Sequence, residues 1–404
     1  MNFKRGFLNS DRGQRSISQR NDQSDQVQSD AFVFPEHVHA SLEGQTIPVP
    51  KFDLMYATFP ARPAAPSADE ERDGWCEALV DSTTARTVLA SLTANPPARL
   101  PRNAAPVYRI GPVEGKGLGM LATRDLAPGD LIVAERPLTM APVGLPPSAD
   151  DFPDGLSPTV TMRELAGAQF KAAERHFEAL ARRMTPERRA AFEALSNCHE
   201  GDGSGPLMGR FRTNGIGMPN TYRFMAQQVK MEVPYSIAMN DISRANHSCR
   251  PNAHVFFDEG LFASVLRPVR PIKAGEEIFI SYTAGLELYK ERKASLASYG
   301  FECSCQSCTD PAASDARRMQ IATFSSANQY NGGPKVALKT ILGRIALMRK
   351  EGLEEMMEYK TLYIGLETVF RMLGDKKRAA DARRESDQIS WALYNQPGLD
   401  LPFF

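Results

Sequence analysis

The chain has few cysteines, six in 404 residues, and their distribution does not read as a disulfide framework. The chain also has no net charge. Its 48 lysines and arginines balance 48 aspartates and glutamates, so no global field draws it to nucleic acid or to an anionic membrane surface. No apolar run approaches the roughly 18 residues that a membrane-spanning helix needs. The opening stretch MNFKRGFLNSDRGQRSISQR lacks the apolar core of a secretory signal, and Asp11 argues against a mitochondrial presequence. Three cysteines fall within six residues and the other three stand alone, which favours a metal site in a reducing compartment, nucleus or cytoplasm. What is present, 42% hydrophobic and 24% charged residues, is an ordinary globular composition with length for two or three domains.

Residues 1–30 hold too few apolar side chains to offset chain entropy and read as a disordered tail. Residues 31–105 form a Pro- and Ala-rich lead-in with a helix expected around Trp75 to Leu92 and no chemical signal. The period then shortens to strands and tight turns. GMLATRDLAPGDLIVAERP and RPVRPIKAGEEIFISY share one grammar, in which a turn containing Gly129 or Gly275 and an acidic residue precede a β-rich run. Between them lies a helical hairpin over residues 161–197. Phe170, Ala173, Phe177, Leu180 and Met184 recur at helical spacing, and Thr185-Pro186-Glu187 reads as an N-cap, a first-turn proline and an acidic first turn. Past Cys308, Leu338, Ile341, Ile345 and Met348 form one apolar stripe, Met356, Tyr359, Tyr363, Leu366 and Phe370 a second, and Ile389 with Leu393 end a third. That pattern predicts three packed helices punctuated by Gly352 and Gly374.

The cysteines constrain the chemistry most. Cys303, Cys305 and Cys308 can place three thiolates around one ion, but structural zinc takes four ligands. Cys76, Cys198, Cys249 or a histidine could complete the set, and only Cys249 sits in a motif of its own, RANHSCRPNAH. A nucleophilic Cys249 with His247 as base is the rival reading. Residues two apart do not meet on a helix and merely share a face in a strand, so the pair is not expected to make direct contact. The pair Cys198-His199 lies in a Gly-rich loop with no partner motif. In EGKGLG, residues 114–119, glycines permit a tight turn or close backbone approach to a ligand, and no phosphate-binding loop follows.

In order, GKGLG, NHSCRPN, GEEIFISY and FECSCQSC resemble a SET domain with its post-SET zinc loop, across roughly residues 106–310. The likeness is greatest to the SET-and-MYND branch and fungal-type SET proteins. The MYND finger is absent, because Cys198 is the one cysteine between Gly119 and Asn246. The resemblance implies an α+β fold, a β-clip of short strands over residues 106–283 carrying the helical insert, then a zinc loop over 284–310 and a helical C-terminal region over 311–404. It implies an S-adenosylmethionine-dependent protein-lysine methyltransferase, the alternative being a catalytically silent, zinc-stabilised scaffold. Gly115, Lys116 and Gly117 would lie along the cofactor, with Lys116 contributing chiefly backbone. Asn246 would bind the cofactor's amino-acid end, the His247 backbone the adenine edge, and Phe301 would stack on the adenine. Asn214, in RTNGIGM, would also touch the cofactor, and Tyr282 would be the catalytic tyrosine. Zinc would be held by Cys249, Cys303, Cys305 and Cys308. The implied partner is a protein bearing the target lysine, histone or not, met by a monomer with no nucleic-acid or membrane contact.

Overall fold

The computed structural model describes residues 54–147, 151, 162–218, 221–224, 227–230, 234–324, 330 and 332–395, with the short paired strands Ser41–Leu42 and Gln45–Thr46. The tail expected over residues 1–30 lies outside them. The architecture is α+β, with short strands in several small sheets and helices at the C-terminal end.

The two stretches of shared grammar lie against each other. Leu126 and Ile272 exchange backbone hydrogen bonds at 2.8 and 3.0 Å. Both turns use a glycine in the left-handed region, Gly129 at φ +83° and Gly275 at φ +85°, where a side chain would be strained. Each turn then bonds to the strand preceding the other. Gly275 N–H donates to Ala122 O and Ala122 N–H to Glu276 O, while Gly129 N–H donates to Pro268 O and Ile132 N–H to Leu266 O. This exchange joins two sheets. One has the order Asn246–His247, Glu277–Ile280, Gly117–Ala122, Tyr108–Val113; the other has the order Ala253–Asp258, Ala263–Pro268, Val133–Glu135. Met120, Ile272, Ile278 and Leu266 fill the space between them as one apolar core.

The lead-in is more than an appendage. Leu54–Phe59 pairs antiparallel with Cys76–Asp81, which runs parallel to Thr139–Pro142, and Tyr235–Ala238 with Ile216–Gly217 complete a five-stranded sheet. The helix expected from Trp75 starts only at Ser82 and runs to Ala94. Residues 76–81 are buried on both faces, so their run of apolar residues carries no alternation to mark a strand. Asp81 ends that strand and caps the helix, its carboxylate accepting from Thr84 N–H and from the Tyr235 hydroxyl. The inserted hairpin is present as Met162–Arg183 and Pro186–Glu193, with Thr185 as N-cap and Pro186 at the first turn.

Helices Pro311–Ala322, Pro334–Glu351, Met357–Met372 and Lys376–Tyr394 form the C-terminal region around a core that includes Ile341, Ile345, Met348, Tyr363, Leu366 and Phe370. Gly352 closes one helix in the left-handed conformation. Just before it, buried Glu351 accepts from Ser307 Oγ at 2.8 Å, Ser314 Oγ at 2.5 Å, Arg317 Nε at 2.7 Å and Arg318 Nε at 2.8 Å. Arg318 also donates to Cys249 O at 2.8 Å and to Gly285 O. One buried carboxylate therefore ties the helices to the cysteine-bearing segments. Burial raises the Glu351 pKa, but hydrogen bonds from Ser314 and Arg317 and the charge of Arg318 outweigh it and hold the carboxyl below its ordinary value of 4.5. A depressed folded pKa gives stability that is present above the unfolded value and lost as pH falls through the folded one. Glu351→Ala, which strands two arginines, is expected to cost about 3–5 kcal/mol in chemical denaturation. Glu351→Gln should make stability less dependent on pH below 4.5 than in the wild type.

Candidate functional site

The sulfurs of Cys249, Cys303, Cys305 and Cys308 lie within 4.8 Å of one another. Cys249 Sγ is 3.5 Å from Cys308 Sγ and 3.9 Å from Cys303 Sγ. Tetrahedral zinc with bonds of about 2.3 Å separates its sulfurs by roughly 3.8 Å, so these residues fit the ion. Such crowded thiols cannot all ionise unaided. The neighbouring sulfurs, and then burial, push the Cys249 thiol up, while the same sulfurs push Cys303 down. A divalent cation removes that conflict by taking four thiolates at once. The remaining negative charge has a counterweight in Arg292, whose buried guanidinium reaches Glu287 O and Ser307 O at 2.6 and 3.4 Å. Cys76 lies in the apolar core and Cys198 bonds to Thr213 and Ser298, so neither joins the group.

His247 contradicts the expectation that it stays clear of Cys249: its Nε2 is 3.3 Å from Cys249 Sγ. The spacing argument assumed a continuing strand, but the strand spans only Asn246–His247 and the chain bends at Cys249 and Arg250. The contact still does not make a base. Tyr282 N–H donates to His247 Nδ1 at 2.9 Å, so in the neutral ring the proton resides on Nε2 and points at the sulfur. A ring in that tautomer donates to a thiolate, as a partner of a metal ligand does.

Asn246–His247 pairs in parallel with Phe279 and Ile280. Asn252 prolongs that pairing with its side chain, Oδ1 accepting from Phe279 N–H at 2.7 Å and Nδ2 donating to Glu277 O at 2.9 Å. On the other side, Glu135 accepts the backbone N–H groups of Asn240, Asp241 and Ile242, holding the turn that leads into Asn246. Burial first and then the charge of Asp241 push its carboxyl up to about 7. Sequence reading assigned no role to Glu135, Asn252 or Glu277. Their marks in the sequence were slight: an acidic residue closing a buried run, and the Asn of RPN.

The glycine turn lies next to Asn246, whose Nδ2 donates to Leu118 O at 3.1 Å. Gly115 at φ +69° and Gly117 at φ +72° need glycine for the turn, and a Cβ at either would meet nothing within 4 Å. The backbone there is open to a ligand. Lys116 turns its ammonium away onto Glu277 Oε2 at 2.8 Å, in keeping with a backbone role.

Tyr282 is buried, and its hydroxyl donates to Ala245 O at 2.8 Å. Its ring lies 5.2 Å from His247 and 5.1 Å from Tyr299. Phe301, 38% exposed, lies 6.2 Å from both His247 and Tyr299, so an aromatic wall runs from the tyrosine to the cysteine loop. Asn214 is buried, its side-chain Nδ2 donating to Ser196 O and Arg210 O while its backbone carbonyl accepts from Ser243 Oγ. It thus adjoins the turn before Asn246, with its amide protons already committed.

Residues 117–283 match the family model described as SET domain. The histone-lysine N-methyltransferase set5 of Schizosaccharomyces pombe is 27% identical over 285 residues, 68% of this chain and 75% of that protein. The histone-lysine N-methyltransferase ATXR2 of Arabidopsis thaliana is 42% identical over 71 residues, 17% of this chain and 15% of its own. The N-lysine methyltransferase SMYD2 of Homo sapiens is 46% identical over 70 residues, 17% of this chain and 16% of its own. The chain therefore spans three quarters of the first relative and less than a fifth of the other two. The solved SET domain of LSMT bound to lysine and AdoHcy, 13% identical and covering 77% of this chain and 87% of that one, superposes with a TM-score of 0.26, too slight a likeness to inform the site.

Purified protein is expected to contain one zinc ion per chain by elemental analysis, and Cys249→Ser or Cys308→Ser to lose it with a lowered melting temperature. Full metal content in both variants would contradict the four-sulfur site. At Gly119 an added Cβ would fall 2.9 Å from Asn246 Nδ2, so Gly119→Ala should disturb Asn246 while leaving zinc content unchanged.

Proposed function

The chain carries a SET domain, and from that premise we propose that it is an S-adenosylmethionine-dependent protein-lysine N-methyltransferase. The observation that supports this most is that neighbouring residues Asn246 and His247 meet the open glycine turn on one side, through Leu118 O, and Tyr282 on the other. S-adenosylmethionine, when bound, would supply an electrophilic methyl on a cationic sulfonium.

The chain's own residues have to present a neutral amine in line with that methyl. Deprotonating lysine, with a reference pKa of about 10.4, costs roughly 4–5 kcal/mol at pH 7. Burial around Tyr282 lowers that cost, because a dry channel disfavours the ammonium. The Tyr282 hydroxyl donates its proton to Ala245 O, and in this reading its oxygen would act toward the substrate as an acceptor for an amine N–H. With the cofactor bound, these residues would hold the amine lone pair in line with the methyl it gives up, and the excess proton on nitrogen would leave to water. The gain is mostly alignment. No basic side chain is required to touch the methyl.

In this reading Gly115 to Gly117, Asn246, the His247 backbone and Phe301 line the cofactor, with Asn214 behind them, and the four cysteines hold zinc. The SET unit runs over residues 106–283, the zinc loop over 284–310 and the helices over 311–404. The strands at 54–59 and 76–81 join the sheet formed by 139–142, 235–238 and 216–217, so the lead-in packs on the SET unit that follows it. The substrate is a lysine on a protein, histone or not, met in nucleus or cytoplasm by a monomer that contacts neither nucleic acid nor membrane.

The test is transfer of labelled methyl from S-adenosylmethionine into a cell extract, comparing wild type with zinc-retaining Tyr282→Phe. Discrete labelled proteins are expected with wild type, reduced about a hundredfold or more in the variant. Cofactor binding without transfer by wild type would replace the enzyme with a scaffold, and equal labelling by both proteins would remove Tyr282 from the mechanism.

A further inference from the structure

Both N–H bonds of the Asn246 carboxamide are committed. One goes to Leu118 O at 3.1 Å and the other to Glu277 Oε1 at 2.8 Å. These partners are both acceptors, so only the NH2 end of the amide can face them and Oδ1 must point away. The second oxygen of Glu277 takes Lys116 Nζ at 2.8 Å, and the same ammonium lies 4.4 Å over the Phe279 ring. Glu277 is the inner member of this pair, with its side chain 10% exposed against 38% for Lys116. Gly119 makes the space. A Cβ there would fall 2.8 Å from Glu277 Oε1 and 2.9 Å from Asn246 Nδ2.

We propose that Glu277, held by Lys116, is a positioning residue that locks the Asn246 carboxamide with its oxygen toward the cofactor and so makes the site select the cofactor's α-ammonium group. This rests on the reading in which Asn246 meets the amino-acid end of S-adenosylmethionine. That end carries both an ammonium donor and a carboxylate acceptor, and a carboxamide free to turn over could serve either. A locked one offers an acceptor only. As an isolated surface ion pair, Lys116–Glu277 would contribute little. Its consequence lies in the division of labour between the two carboxylate oxygens, one for the lysine and one for the asparagine. A glutamine at 277 has a single acceptor oxygen, and Lys116 takes it. The glutamine NH2 then opposes the Asn246 NH2 while Leu118 O still demands it, so the carboxamide is left between two conflicting partners and its oxygen is no longer locked toward the cofactor.

The experiment is calorimetric titration of the full-length, zinc-loaded protein with S-adenosylmethionine and with its deamino analogue, which lacks the α-amino group. Zinc content and melting temperature are recorded for each variant. Wild type is expected to prefer the amine-bearing compound by about tenfold or more. Glu277→Gln should bring the two affinities to near equality, raising KM for S-adenosylmethionine with kcat little changed. Combining Lys116→Met with Glu277→Gln frees the glutamine oxygen for Asn246 and should restore the preference. A role in folding alone would weaken both compounds equally and would not be rescued by removing the lysine. That result, or an undiminished preference in Glu277→Gln, overturns the proposal while leaving the enzyme reading standing. Failure of wild type to bind either compound overturns the enzyme reading and this inference with it.

Discussion

Four sulfur atoms within 4.8 Å of one another impose the constraint on which the rest of the site depends. Three come from one short loop, and the fourth belongs to Cys249, three residues beyond Asn246 in a segment already paired with the strand Glu277–Ile280. Joining them holds the segment that sets Phe301 beside His247 and Tyr299 against the Tyr282 ring. Zinc suits this role because it binds thiolates tetrahedrally without imposing redox chemistry. Arg318 extends the constraint outward. By donating to Cys249 O and to Glu351 it links the sulfur group to the C-terminal helices, so the metal centre and the helical region share one buried polar network.

Around that centre the backbone is held by carboxylates and amides rather than by packing alone. Glu135 gathers three amide N–H groups ahead of Asn246, and Asn252 bonds twice to one edge of the strand Glu277–Ile280 with one side chain. Buried polar groups stay buried only when satisfied, and here their satisfaction fixes the position of Asn246 and His247. The His247 ring is a further instance. A backbone N–H sets its tautomer, the tautomer aims Nε2–H at a sulfur, and the residue is thereby unsuited to the base role that its contact with Cys249 would otherwise suggest.

How much could be read in advance varied with the range of the interaction. The cysteine set, the glycine turn and the asparagine–histidine pair were legible because chemistry demands particular residue types at short spacing. The helical stripes past residue 310 were legible because 3.6-residue periodicity is local. Residues 76–81 were misread as helix because a strand buried on both faces loses its alternation. The His247–Cys249 contact was missed because a bend at Cys249 and Arg250 undid an argument built on regular geometry. Glu135 and Glu277 were invisible for another reason. Each acts on backbone or side chains between 31 and 107 positions away, and an isolated acidic residue in sequence looks like solvated surface.

The central claim is that the sulfur cluster builds the cofactor site. The most direct measurement is the affinity for S-adenosylmethionine as zinc occupancy is titrated, with helix content followed in parallel. If the account holds, chelation abolishes binding in proportion to zinc lost while the C-terminal helices persist, and restoring zinc restores affinity. Unchanged affinity in fully zinc-free protein would contradict it.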